Sequence, residues 1–327
     1  MINRYIITGD IHLNLSKNEE FERQRFLEFI DTINQEDGII VFAGDLFDKA
    51  KPTLQEIDLF YQAVETLSFN HQVIIIDGNH EKVDINTTTF DYLPKYNFTY
   101  YTKPTPIKIN QKNTLWLLGH SNLDKLKEIE LRDGSNILIS HFRCSLGIIK
   151  QEVDVNYISK TFDYCIAGDI HQHYKPFENV EYTSQPYNTH YDIKKDNGYI
   201  VLTFDIKGYK IEYKQINLAN KYKLELTAKE YKDLFSSLDD NLYKIVIKDI
   251  ADNVKNLPQR DNIILTYKPD VIVSDNDIEE LKAEIKQSGN IDVVSTLKRL
   301  VRNSEELSES TLRKGEEIIE YIMKGYL

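Results

Sequence analysis

Five short apolar runs in the first half of the chain each stop at an acid, an amide or an imidazole. Tyr5–Thr8 precedes Asp10 and His12; Ile39–Ala43 precedes Asp45; Val73–Ile76 precedes Asn79 and His80. Ile137–Ile139 precedes His141, and Tyr164–Ala167 precedes Asp169, His171 and His173. The runs are short and β-branched, as buried strands are. Ligands of an open α/β sheet bind outside the carboxyl ends of its strands. Five strands bringing hard oxygen and imidazole donors to one edge predict a two-metal hydrolytic centre.

Helical spacing fills the gaps between the first runs. Phe21, Arg25, Phe26, Phe29, Ile30 and Ile33 recur with that period over Glu19–Gln35, and Thr53 with Glu56 forms a capping-box pattern opening a helix to about Phe69. Strand–helix–strand alternation implies a largely parallel sheet. From Tyr100 to Ile216 short strands and turns take over: Ile107–Ile109, Leu115–Leu118, Tyr199–Asp205 and Tyr209–Ile216, the last two joined at Lys207-Gly208. A second sheet packed on the first follows, so the expected fold is a layered two-sheet α/β sandwich over 1–219. No histidine occurs beyond His190. Strand and helix signals at 222–237, 243–247 and 262–267, then a helix from Asp277 to about Gln287, predict a small α+β capping domain over 220–290. Residues 291–327 carry two amphipathic segments, with Val293, Val294, Leu297, Leu300 and Val301 on the face of one and Leu312, Ile319, Ile322 and Met323 on the face of the other.

With 327 residues, 41% of them hydrophobic, the chain can build a sizeable core. No charged-then-apolar leader and no run long enough to span a bilayer is seen, and the two cysteines, Cys144 and Cys165, form no CxxC pair. A reduced cytoplasmic protein is the expectation. The net charge of −12 argues against a chain that grips DNA alone; a partner or a local basic strip would have to supply the attraction. No Gly-x-x-x-x-Gly-Lys-Ser/Thr loop is present, so the chain is not expected to hydrolyse ATP.

Asp10 and His12, two apart at a strand end, project to the same side. Gly9 lets the backbone approach the ions, and Gly44-Asp45-Leu46-Phe47-Asp48 puts an acid on a tight turn, where one carboxylate can bridge two cations. Gly78-Asn79-His80-Glu81 offers an amide oxygen with an imidazole beside it. Ser140-His141 and Gly168-Asp169-Ile170-His171-Gln172-His173 complete the set. Each fragment alone is common in turns; together and in this order they are specific.

In these motifs the chain resembles the calcineurin-like metallophosphoesterases, whose pattern is D-x-H, GDxxD, GNH[DE], a strand-end His and GHxH. The resemblance spans roughly Met1–Tyr191. Within that superfamily the chain is similar to the SbcD-type nucleases of double-strand-break repair and recombination, phage versions included. The segment Tyr182-Thr183-Ser184-Gln185-Pro186-Tyr187 carries that finer similarity. The resemblance implies that Asp10, His12 and His171 hold one ion and Asn79, His141 and Asp169 the other, with Asp45 bridging. It implies a Mn²⁺-dependent DNA exonuclease or endonuclease, Mg²⁺ being the alternative ion. His80 would serve the leaving 3′ oxygen, and Glu81 would orient a ligand or His80. The rival is a metallophosphatase or phosphodiesterase acting on nucleotides or phosphoproteins, which would share every ligand.

Two positions depart from the pattern. Asp169 stands where the family usually has His, which swaps nitrogen for oxygen and favours Mn²⁺ or Mg²⁺. The alternative is that His171 and His173 form the His-x-His pair, shifted by two; Gly168 directly after the strand favours Asp169 and His171, leaving His173 to face DNA or support a ligand. Asp48 stands where SbcD-type chains often have His. Tyr174, Tyr182, Tyr187 and Tyr191 could stack on bases or simply pack; His71 and His120 read as structural, and His190 as a loop residue. The resemblance further implies an SbcC-type ATPase partner docked on the C-terminal helices and a homodimer through the first helices; from its short apolar runs no membrane association is expected.

Overall fold

Alternation along the first strands sets the layering. In β1 (Asn3–Thr8), α1 (Glu19–Asn34), β2 (Ile39–Ala43), α2 (Leu54–Ser68) and β3 (Val73–Ile76), strand and helix alternate, and the strands pair in parallel. Ile6, Ile40, Phe42 and Ile75 pack on one side against Phe26, Phe29, Leu59 and Phe60 of the two helices. Their neighbours Ile7, Val41, Ile74 and Ile76 face the other way, against Leu115, Leu117, Ile137, Ile139 and Ile166 of a second sheet. A strand with apolar residues on both faces must be covered on both.

The structure, a computed structural model, describes residues 3–16, 18–144, 151–189, 196–219, 221–238, 241–247, 257–260 and 262–267. After β3 come a one-turn helix α3 (Thr89–Tyr92), β4 (Thr99–Tyr101), β5 (Thr105–Lys108), β6 (Asn113–Leu118) and β7 (Ser135–His141). Then follow α4 (Val155–Thr161), β8 (Tyr164–Gly168), β9 (Tyr174–Phe177), β10 (Val180–Tyr182), β11 (Gly198–Asp205) and β12 (Gly208–Gln215). The first sheet has the order β12-β11-β1-β2-β3-β4 and the second β5-β6-β7-β8-β10-β9. α4 covers the outer face of the second sheet, with Val155 and Ile158 against Trp116, Leu138 and Cys165. The result is two mixed sheets face to face with helices outside, a layered α/β sandwich.

The chain divides into two compact units, Met1–Tyr222 and Lys223–Leu327. The later strands β13 (Lys221–Leu226), β14 (Leu242–Ile247) and β15 (Ile263–Tyr267) form a three-stranded sheet, with α5 (Ala228–Leu234) opened by a Thr227/Glu230 capping box. The expected helices at 277–287 and in 291–327, and His190 and Tyr191, lie outside the described residues. Among the described residues no helix is long and apolar enough to cross a membrane.

Candidate metal centre

The parallel strands β1, β2, β3, β7 and β8 all end on the same edge, and their C-terminal loops carry the expected ligands. Backbone bonds lace these loops together: Asp10 N–H donates to Gly44 O at 3.1 Å, His12 N–H to Asp45 O at 2.9 Å, and Asp169 N–H to Asp10 Oδ1 at 2.9 Å. The close approach requires glycine. A Cβ on Gly168 would lie 2.5 Å from Ala43 O and 2.6 Å from His141 Nδ1, and one on Gly78 would collide with the Asp45 carboxylate.

Five expected ligands adopt left-handed backbone conformations: Asp10 (φ 55°), His12 (φ 48°), Asp45 (φ 51°), Asp169 (φ 107°) and His171 (φ 51°). Only Asn18 and Asn97 join them among described non-glycine residues. Such conformations cost energy and persist where the surroundings impose them, characteristically at functional sites.

The donors converge in two halves that share Asp45. In the first, ligand atoms of Asp10, His12, Asp45 and His171 all lie within 4.8 Å of one another. His12 Nε2 is 2.9 Å from His171 Nε2 and 3.5 Å from Asp45 Oδ2. Two imidazole nitrogens meet this closely only around a shared proton or cation. In the second, His141 Nε2 is 3.4 Å from Asp45 Oδ2, 3.0 Å from Asn79 Oδ1 and 3.8 Å from Asp169 Oδ1. Asn79 Oδ1 also lies 3.2 Å from carboxylate oxygens of both Asp45 and Asp169. Either end of the Asn79 amide can face these three atoms; turned inward, its nitrogen has two N–H donors for them, while its oxygen is the end that can ligate a cation. Donors ~2.1 Å from one ion and at right angles to each other are about 3 Å apart, and the contacts here run from 2.9 to 3.8 Å. The residues fit divalent metal binding.

Supporting contacts orient the donors. His141 Nδ1–H donates to Ala43 O at 2.9 Å, which turns the Nε2 lone pair into the site. His12 Nδ1 faces Asp48 Oδ1 at 3.6 Å, and Asn14 holds the other Asp48 oxygen at 2.7 Å. Glu81 is fully buried and accepts from the backbone N–H groups of Asp45 (3.0 Å), Phe47 (2.9 Å) and Gly78 (2.8 Å), tying the two motif loops together. His80 donates from its backbone to Asp45 Oδ1 and from Nδ1 to Asp48 O at 2.7 Å, so proton exchange is left to Nε2. His80 borders the first half: it groups with His12 and Asp48 within 4.8 Å, and its ring meets His12 edge to face with centres 4.5 Å apart.

The electrostatics are those of crowded acids and imidazoles. Burial, reinforced by Asp45, pushes Asp10 up to about 6 although His141 and His12 pull it down. Burial and then the Asp45 charge push Glu81 up to about 7. Burial would raise Asp45 too, but His141 and His12 outweigh it and hold the carboxyl well below the usual range. Burial lowers His12 and His141; the facing carboxylates reverse this and raise both.

Other expected residues sit elsewhere. His173 Nε2 bonds Glu181 Oε1 at 2.7 Å and its ring stacks on Tyr213 at 3.8 Å, while Asp169 and His171 occupy the ends of the two halves. Tyr187 is buried beneath the Arg25 guanidinium, 4.1 Å from its ring centre, and against Phe29; that packing withholds its face from stacking on a base. His71 bonds Gly38 O and Asn34 O. Two residues of the site escaped the sequence reading. Arg143, in the loop just after β7, clamps Asp169 through Nε at 2.8 Å and Nη2 at 2.9 Å. Asp77, fully buried, accepts from Ser121 N–H at 2.7 Å and from Tyr100 Oη at 3.1 Å, anchoring the chain after β6 beside the Asn79 loop.

Residues 4–202 match the calcineurin-like phosphoesterase family, and the chain belongs to that family. Solved structures that the chain resembles include a conserved uncharacterized protein, a predicted phosphoesterase, from Streptococcus pneumoniae TIGR4, at 13% identity and a TM-score of 0.31 over 66% of this chain and 90% of that one. A Vps29 mutant from Entamoeba histolytica matches at 11% and 0.33 over 65% and 99%. A 5′-nucleotidase precursor from Thermus thermophilus matches at 13% and 0.38 over 66% and 55%.

Proposed function

We propose that the chain is a metal-dependent DNA nuclease of the SbcD type, the catalytic subunit of a recombination or repair complex. The observation that carries the chemistry is the pair of donor sets sharing Asp45, with His80 Nε2 left available beside them. When bound, two divalent ions, Mn²⁺ in this proposal, would polarise a water and neutralise charge on the phosphoryl oxygens. Asp45 sets the spacing of the two halves because its carboxylate faces both His12 and His141. His80, fixed at both its backbone nitrogen and Nδ1, holds a proton at Nε2 for the departing 3′ oxygen. The Tyr182–Tyr187 segment and the unit that follows the phosphoesterase region support a nuclease over a phosphatase, since ligands alone do not fix the substrate. The partner proposed is an SbcC-type ATPase docked through 291–327, with the protein acting in the cytoplasm.

A substrate panel at fixed Mn²⁺ tests this: linear DNA, bis(p-nitrophenyl) phosphate and p-nitrophenyl phosphate. The proposal expects DNA and diester hydrolysis well above monoester hydrolysis. Monoester turnover with inert DNA would replace it with the phosphatase reading.

A further inference from the structure

Beside the second half of the centre lies a cleft of about 1120 Å³. Its walls continue the loops that carry this half-site. One is the segment from Lys82 to Thr88, which follows Asn79-His80-Glu81 and begins with a Lys82 N–H bond to Asn79 O. The second is the stretch from His120 to Lys125, pinned by Asp77 and bringing the His120 ring to 6.1 Å from that of His141. The third includes Arg143, whose guanidinium joins the cleft to Asp169.

The lining chemistry is selective. Its carboxylates are engaged within the fold: Glu152 accepts from His120 Nε2 and Arg143 N–H, Asp91 caps α3, and Asp124 pairs with Lys125. Lys82 and Lys103 are exposed and have no ion pair among the described residues. A chain of net charge −12 thus leaves two cations at the rim of a cleft beside its metal centre. Ile85, 84% exposed, and Leu123 add apolar surface between polar groups such as Asn122. The cleft exceeds the ~300–1,000 Å³ usual for small-molecule sites, so it is large for a mononucleotide.

From this placement we infer that the cleft binds the nucleotides flanking the scissile phosphate, as a single strand leading away from the second half-site. The inference rests on the nuclease reading. Lys82 and Lys103 contact backbone phosphates, Ile85 and Leu123 lie against bases, and Arg143 connects the strand to the metal centre. Because the contacts are to the backbone, the site is indifferent to sequence.

The test compares wild type, Lys82→Ala/Lys103→Ala and a charge-matched control, Lys160→Ala/Lys207→Ala, on a single-stranded oligonucleotide and on bis(p-nitrophenyl) phosphate. The cleft variant is expected to raise KM for the oligonucleotide about tenfold and to leave the small diester unchanged. Its plot of log KM against log salt should lose a slope of about 1.4, two single-strand phosphate contacts. The control should match wild type. Wild-type KM and slope in the cleft variant would overturn the inference. If wild type cleaves the diester but not the oligonucleotide, the nuclease reading fails, and anisotropy of a fluorescent oligonucleotide judges the cleft separately. Weaker binding by the cleft variant alone supports it; equal binding, or none by wild type, overturns it.

Discussion

At the scale of single residues the site separates holding from proton transfer. His80 is bonded through its backbone nitrogen and Nδ1, which fixes the ring and leaves Nε2 to exchange a proton. His80→Ala should lower kcat by ~10²–10⁴ while Mn²⁺ still binds, checked by steady-state rates beside calorimetric titration. Equal loss of metal binding would make it a ligand instead. The donor types were legible because each strand run ends in its own donor. Arg143 was not, since its partner Asp169 is 26 residues away and only the pairing of β7 with β8 brings them together. Nor did anything in the sequence distinguish Tyr187 as a packed ring from Tyr187 as an exposed one; burial decided it.

At the scale of elements, loops that donate ligands are held by groups that do not. Glu81 satisfies three buried N–H groups across two loops, and leaving each unpaired costs ~1–3 kcal/mol. Glu81→Ala should therefore destabilise the phosphoesterase unit by several kcal/mol, read by denaturant unfolding; a change below about 1 kcal/mol would show the loops hold themselves. The helix signals proved reliable where local chemistry was complete. Thr53 and Glu56 form the expected capping box, and Glu56 Oε1 also accepts from Leu15 N–H at 2.8 Å, linking α2 to the loop after His12. Thr53→Ala should cost ~1 kcal/mol, lowering Tm by about 2–4 °C. The three-residue strands β4 and β10 and the four-residue β9 gave no usable pattern, because so few residues show no periodicity and tertiary pairing makes them. The left-handed turns were hard to read for a related reason: Asp and His take such conformations only occasionally, whereas glycine marks them directly.

At the scale of the whole molecule the cluster couples protons, metal and stability. Asp10 at about 6, Glu81 at about 7, and the raised His12 and His141 all bind protons more tightly folded than unfolded. Their contribution to the metal-free fold is therefore full at low pH and is lost as pH rises through these values. Asp45, lowered, shifts the opposite way but does not titrate in that window. Metal bound by Asp10, His12 and His141 displaces their protons, so its affinity rises with pH. The Tm gained on adding Mn²⁺ to protein in chelator should be larger at pH 8 than at pH 6; a gain independent of pH would contradict the coupling. The layered architecture itself was legible because strands buried on both faces demand two coverings, and the site followed from where those strands end. The central claim is nuclease chemistry at this centre. It is tested most directly by Mn²⁺-dependent degradation of end-labelled linear duplex and single-stranded DNA by wild type, His80→Ala and Asp45→Asn. Loss of nucleotides with wild type alone, abolished by chelator, is the predicted result; DNA left intact by all three, or degraded equally by all three, would contradict it.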